Sequence, residues 1–98
     1  MIAQKEGPVG WIIFNNPAKR NAVSLEMWEA LAEMVRDFDR DGAIRVIVLK
    51  GAGEKAFVSG ADISEFEQKR HSSASRRSYD EKAALATDRL ARSGKPVI

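Results

Sequence analysis

The chain contains no cysteine and one histidine, His71, among its 98 residues. Without thiols, disulfides, thiolate metal sites and cysteine nucleophiles are all excluded. A lone imidazole argues against a His-rich metal centre and against a Ser-His-Asp triad. No uninterrupted apolar run approaches the roughly 20 residues of a membrane span. The opening Met1-Ile2-Ala3-Gln4-Lys5-Glu6 turns charged before the apolar core of a signal peptide could form. A cytoplasmic or equivalent soluble compartment is therefore expected, with no membrane partner. Charge of either sign is also in small excess: 16 basic against 14 acidic residues leave +2, too little to identify a polyanionic partner.

What is present suits a soluble globular chain of one domain at most, 44% hydrophobic and 31% charged. A chain of this length buries roughly two thirds of its unfolded surface. Val9 to Phe14 reads as a strand, preceded by a Gly7-Pro8 turn and ended by Asn15-Asn16-Pro17, with residues 2–5 placed to pair with it as a short hairpin arm. Residues 18–23 form a polar loop. Ser24 is the expected N-cap of a helix with Glu26 in its first turn. Trp28, Leu31, Val35 and Phe38 recur at helical spacing beside Met27 and Met34, and Asp41-Gly42 supplies the stop, the glycine in a left-handed C′ conformation.

Val46-Ile47-Val48-Leu49 is a continuous apolar run, which suits a strand covered on both faces in a parallel or mixed sheet backed by helices. Gly51-Ala52-Gly53 breaks it, Ala56-Phe57-Val58 resumes extended structure, and Ile63 to about Lys69 reads as a short helix. Lys69 to Ser78 is basic and serine-rich without an apolar anchor, so a mobile loop is expected. A second helix follows from Tyr79, with Tyr79, Ala83, Ala86 and Leu90 on one face and Gly94 at its end. Lys95-Pro96-Val97-Ile98 looks like the entry to another buried strand. A chain that stops there, with no polar tail, suggests a piece of a longer α/β domain.

Several motifs compete for a functional reading. Gly51-x-Gly53-x-x-Ala56 after a strand superficially matches a dinucleotide fingerprint, but Phe57-Val58 stands where a helix should open and no acidic residue ends a later strand. A strand-ending turn is the better account. Lys69, Arg70, His71, Arg76 and Arg77 form a basic run with no interleaved aromatics for base stacking. A solvated stretch, not a nucleic-acid partner, is expected there. Asp62, Glu65 and Glu67 are close enough for acid/base or metal chemistry, yet Asp62 stands where a carboxylate steadies a helix N-terminus and the glutamates suit an exposed face. No metal site is expected.

The turn Ser59-Gly60-Ala61-Asp62 differs from these. Gly60 opens conformations closed to other residues, and Ala61 places little bulk over its own amide. If a helix opens just beyond, the Ala61 N–H has no partner within it and can meet an enolate or thioester oxygen. Many strand-to-helix turns share this pattern, so spacing alone leaves an ordinary turn open.

Two longer passages resemble signatures of the enoyl-CoA hydratase/isomerase (crotonase) family. They are Phe14-Asn15-Asn16-Pro17-Ala18-Lys19-Arg20-Asn21-Ala22-Val23, which enters a helix, and Ala56-Phe57-Val58-Ser59-Gly60-Ala61-Asp62-Ile63. The resemblance runs across nearly the whole chain and implies the N-terminal portion of a crotonase-like (Clp-protease-like) spiral of ββα units. It implies a coenzyme A thioester substrate, most simply a trans-2-enoyl-CoA that is hydrated to a 3-hydroxyacyl-CoA, and no cofactor beyond the coenzyme A of that substrate. Isomerases, dehalogenases, decarboxylases and hydrolases share the family. By the same resemblance, the Ala61 N–H is one of two oxyanion donors, Ala61, Asp62, Ile63 and Ser64 line the acyl-CoA site, and the loop with Lys19, Arg20 and Ala22 lies against the nucleotide end of CoA. The second donor, the catalytic glutamates and the helices of homotrimeric or hexameric assembly would follow Ile98. A catalytically incomplete CoA-binding fragment is the alternative.

Overall fold

Gly7 stands between Glu6 and Val9 with φ +56°. Positive φ at the first central residue, followed by a proline that fixes its own φ near about −65°, is what a two-residue II′ hairpin turn requires. That turn closes β1 (Ile2–Glu6) antiparallel onto β2 (Val9–Phe14). The computed structural model of the chain describes residues 1–53, 56–60 and 73–98, the side chains of 73–75 excepted. The short helix expected at 63–69 therefore lies outside the described residues.

Helix α1 (Leu25–Arg40) starts as its sequence requires: Ser24 Oγ accepts the Met27 N–H at 3.2 Å, while the Met27 sulfur accepts the Ser24 N–H at 3.5 Å. Met27, Leu31, Ala32, Val35 and Phe38 are buried along one stripe. They pack on the β2 face that carries Gly10, Ile12 and Phe14. A Cβ at Gly10 would stand 2.8 Å from the Phe38 ring, so the missing side chain is what lets the helix lie this close.

The end of α1 differs from expectation. Gly42 is not in the left-handed region; Asp41, with φ −86° and ψ 107°, turns the chain instead, and its Oδ1 accepts the Ala43 N–H at 2.9 Å. The carbonyls left over at the helix end are met by the Lys95 ammonium, which donates to Phe38 O and, at 2.6 Å, to Asp41 O. A cation serves where the glycine motif was expected.

β3 (Val46–Gly51) lies parallel to β2, so the sheet runs β1-β2-β3 and is mixed. Beyond β3, Val97 bridges Ile47 in parallel: Ile47 N–H reaches Pro96 O at 2.9 Å and Leu49 N–H reaches Ile98 O at 2.8 Å. The final residues pair with β3 as expected, but as a single bridge, and Ile98 is 76% exposed where a buried strand is expected. Burial along β3 corrects the two-faced reading, because Ile47 is fully buried while Val46 and Val48, on the opposite face, are only half-buried. The helices cover the Ile47 face; the other carries Trp11, with the Lys50 ammonium 5.4 Å above its ring.

Helix α2 spans Ser73–Ala91 among the described residues, so the six residues before the predicted start at Tyr79 are helical and not the mobile loop expected there. The stretch before Tyr79 needs no apolar anchor of its own, since Tyr79 anchors the helix and serine, alanine and arginine are all compatible with a helical backbone. Arg76 and Arg77 are exposed. Trp28 meets Tyr79, Arg89 Nη1 donates to Ala32 O at 3.3 Å, and Ser93 Oγ donates to Asp39 at 2.5 Å. Contact positions advance together on both helices, so α1 and α2 run parallel, as crossovers between parallel strands demand. Among the described residues no helix is long and apolar enough to cross a membrane.

Candidate functional site

The site grows from one buried polar side chain. Asn21 is 1% exposed and has φ +61°, directly after Arg20 with φ +52°. A short 3-10 helix (Pro17–Lys19) needs two left-handed residues to turn back toward α1, and asparagine tolerates that conformation better than most. The reversal aims the Asn21 amide into the gap between loops. Its Oδ1 accepts the Asn16 N–H at 2.9 Å, and its Nδ2 donates to Ala52 O at 3.0 Å and Ala56 O at 2.8 Å. Asn16 Nδ2 in turn donates to Ala22 O at 2.9 Å.

Gly51 makes the crossing possible. A Cβ there would lie 2.5 Å from both Ala56 O and Phe57 O and 2.7 Å from Asn21 Nδ2. Gly53, with φ +77°, then bends the chain away. The Gly51-x-Gly53 pair thus serves a strand-ending turn, as read from its context. Ala56 to Val58 is not a strand: the Asn21 amide takes the Ala56 carbonyl that a ladder would have used, and exposed Phe57 packs edge-on to Phe14 at 5.4 Å.

Two further bonds tie Ser59-Gly60 to the earlier loop. Ser59 Oγ donates to Lys19 O at 3.1 Å, and the Val23 N–H donates to Gly60 O at 2.7 Å. Gly60 has φ +132°, a conformation that favours glycine. The two passages singled out in the sequence, some forty residues apart, therefore meet through hydrogen bonds. Between them lies a cavity of about 370 Å³ walled by Pro17, Ala18, Arg20, Asn21, Ala52, Gly53 and Ala56. A larger hollow of about 470 Å³ opens at the start of α1, lined by Asn15, Asn16, Ser24 and Glu26 among others, and touches neither glycine turn.

Arg20 stands on the wall of the cavity between the loops, and Lys19 is exposed one residue away. Ala22 is buried beneath the loop, with its carbonyl bound to Asn16. Ala61, Asp62, Ile63 and Ser64 lie outside the described residues, as do Glu65, Glu67, Lys69, Arg70 and His71. Asn21 is the residue that sequence reasoning missed. Its one local signal is the Arg-Asn pair at a forced chain reversal.

The family model described as enoyl-CoA hydratase/isomerase matches residues 9–98. The short-chain-enoyl-CoA hydratase of Clostridium acetobutylicum is 35% identical over 68 residues, which is 69% of this chain and 26% of that protein. A mitochondrial 3-hydroxyisobutyryl-CoA hydrolase of Danio rerio is 36% identical over 63 residues, 64% of this chain and 16% of that protein. Among solved structures, an enoyl-CoA hydratase/carnithine racemase from Magnetospirillum magneticum superposes with TM-score 0.88 at 37% identity, covering 97% of this chain and 36% of that one. The chain thus spans well under half the length of the relatives it matches. With its mixed sheet, parallel crossovers and paired loops, it belongs to the enoyl-CoA hydratase/isomerase family and has the crotonase-like fold of that family's N-terminal portion.

Proposed function

We propose that the chain carries the nucleotide side and one oxyanion donor of an acyl-CoA site, in a protein that hydrates trans-2-enoyl-CoA to 3-hydroxyacyl-CoA. The observation that carries this reading is the direct hydrogen bonding of Ser59-Gly60 to the loop of Lys19 and Val23. In this reading Arg20 and Lys19 meet the phosphates of CoA, where cationic side chains are favoured. Ala22 packs under the same loop, and Ala61 to Ser64 border the thioester. Coenzyme A is part of the substrate, and no other cofactor is needed.

Hydration places hydroxide on C3 and a proton on C2 of the enoyl group. Negative charge passes through the thioester oxygen on the way, and the Ala61 N–H would hold it there. Each such donor is worth about 3–4 kcal/mol of barrier, so a site with a single donor and no acid/base carboxylates is slow. On the family resemblance, those carboxylates, the second donor and the surfaces for trimeric or hexameric assembly belong to residues after 98. The same half-site would serve an isomerase or a hydrolase.

Purified residues 1–98 are expected to bind CoA weakly and to leave crotonyl-CoA unhydrated. Calorimetric titration with CoA at millimolar concentration checks the first expectation, and absence of heat removes the binding reading. Loss of crotonyl-CoA absorbance checks the second, and clear turnover would show that the described half-site is already sufficient.

A further inference from the structure

We propose that Tyr79 is a positioning residue for the Ser59-Gly60 turn, acting through both backbone groups of Val23. The consequence for CoA rests on the proposed function above; the bonding itself does not. Tyr79 is 8% exposed, and its hydroxyl accepts the Trp28 indole N–H at 2.7 Å while donating to Val23 O at 2.7 Å. Val23, 1% exposed, then donates its own N–H to Gly60 O at 2.7 Å. The series runs from α1 through α2 to the loop and ends on the residue before Ala61.

Space filling does not account for the hydroxyl. The Tyr79 ring already meets Trp28 edge-on, with centroids 6.5 Å apart at 87°, and a phenylalanine would make that contact equally well. A buried hydroxyl is costly without partners, and this one is satisfied by a loop carbonyl immediately before the Ser24 cap. Asn21 holds the loop from the side of Ala52 and Ala56; Tyr79 fixes it against the helices. A shift at Val23 would pass directly to Gly60, and a misplacement of about 1 Å at such a donor can cost on the order of 100-fold in rate.

The test is amide hydrogen exchange by NMR on the 98-residue chain and its Tyr79→Phe variant, followed by CoA titration. The Val23 amide is expected to exchange at least tenfold faster in Tyr79→Phe, with Leu31 and Val35 amides in α1 unchanged, and CoA binding weakened several-fold. Trp28→Phe keeps the Tyr79–Val23 bond and is expected to change Val23 exchange less than threefold. An unchanged Val23 amide in Tyr79→Phe, a rise shared equally by the α1 amides, or an equal effect from Trp28→Phe would each overturn the proposal. If the parent chain gives no heat with CoA, the site reading fails while the exchange comparison still decides the role of Tyr79.

Discussion

Asn21 joins three stretches of chain that have no secondary structure in common. Removing its amide in Asn21→Ala leaves the Asn16 N–H and the Ala52 and Ala56 carbonyls short of a partner and puts alanine at positive φ. With about 1–3 kcal/mol for each buried polar group left unsatisfied, we expect a loss of roughly 3 kcal/mol, read as a lower urea midpoint. Asn21→Asp keeps the acceptor but sets a carboxylate against two carbonyls, and should be no more stable than the alanine variant. A midpoint within about 0.5 kcal/mol of the parent, the usual range for surface changes, would show that the amide is not the clamp. Beyond the Arg-Asn pair at the reversal, none of this was legible locally. Asn21 reads as one polar loop residue among several, and Gly51 as a strand breaker, because the atoms that make each indispensable lie more than thirty positions away or across the crossing loop.

At the scale of elements, periodicity served well wherever packing obeys it. α1 follows its apolar stripe from the Ser24 cap to Phe38, and the II′ hairpin follows from Gly7-Pro8. Reading failed where a distant partner decides the outcome: Lys95 closing α1, Tyr79 anchoring a helix that begins earlier than its apolar face, and Asn21 taking the carbonyl of a would-be strand. The C-terminal end of α1 also gains an acid-sensitive tie. The Asp41 carboxyl is held below its ordinary value of 3.8, first by the hydrogen bond from the Lys5 ammonium at 2.6 Å and then by the Ala43 N–H, against some desolvation. A carboxyl depressed on folding stabilises above its unfolded pKa, and that contribution disappears as pH falls through the folded value. Asp41→Asn should therefore flatten the dependence of stability on pH between about 5 and 2, the range in which such carboxylates titrate. Parallel acid limbs in urea titrations of parent and variant would refute this. The pair is exposed on the Lys5 side, so salt should blunt the difference.

Among the described residues, a mixed sheet carries α1 and α2 on one side and a parallel bridge from Val97 at its edge. The apolar run of β3 points to mixed or parallel pairing, and β3 does lie parallel to β2. It could not reveal which face the helices cover, since Val46 and Val48 are as apolar as Ile47 and only register separates them. Ending the chain at Gly94 removes the ladder bonds to Ile47 and Leu49 together with the Lys95 bonds to α1. At about 0.5–1.5 kcal/mol each, these amount to roughly 3 kcal/mol. In a domain of this size that lowers the thermal midpoint by more than about 10 °C, which calorimetry would register; an unchanged midpoint would mean the terminal bridge adds nothing.

The two tryptophans report on opposite sides of this sheet. Trp28 gives its indole hydrogen to Tyr79 within the helical layer, whereas Trp11 sits beneath Lys50 with its Nε1 buried and, among the described residues, lacking an acceptor. With Trp28 replaced by phenylalanine, the remaining emission comes from Trp11 alone and becomes an optical gauge of the sheet face beneath Lys50.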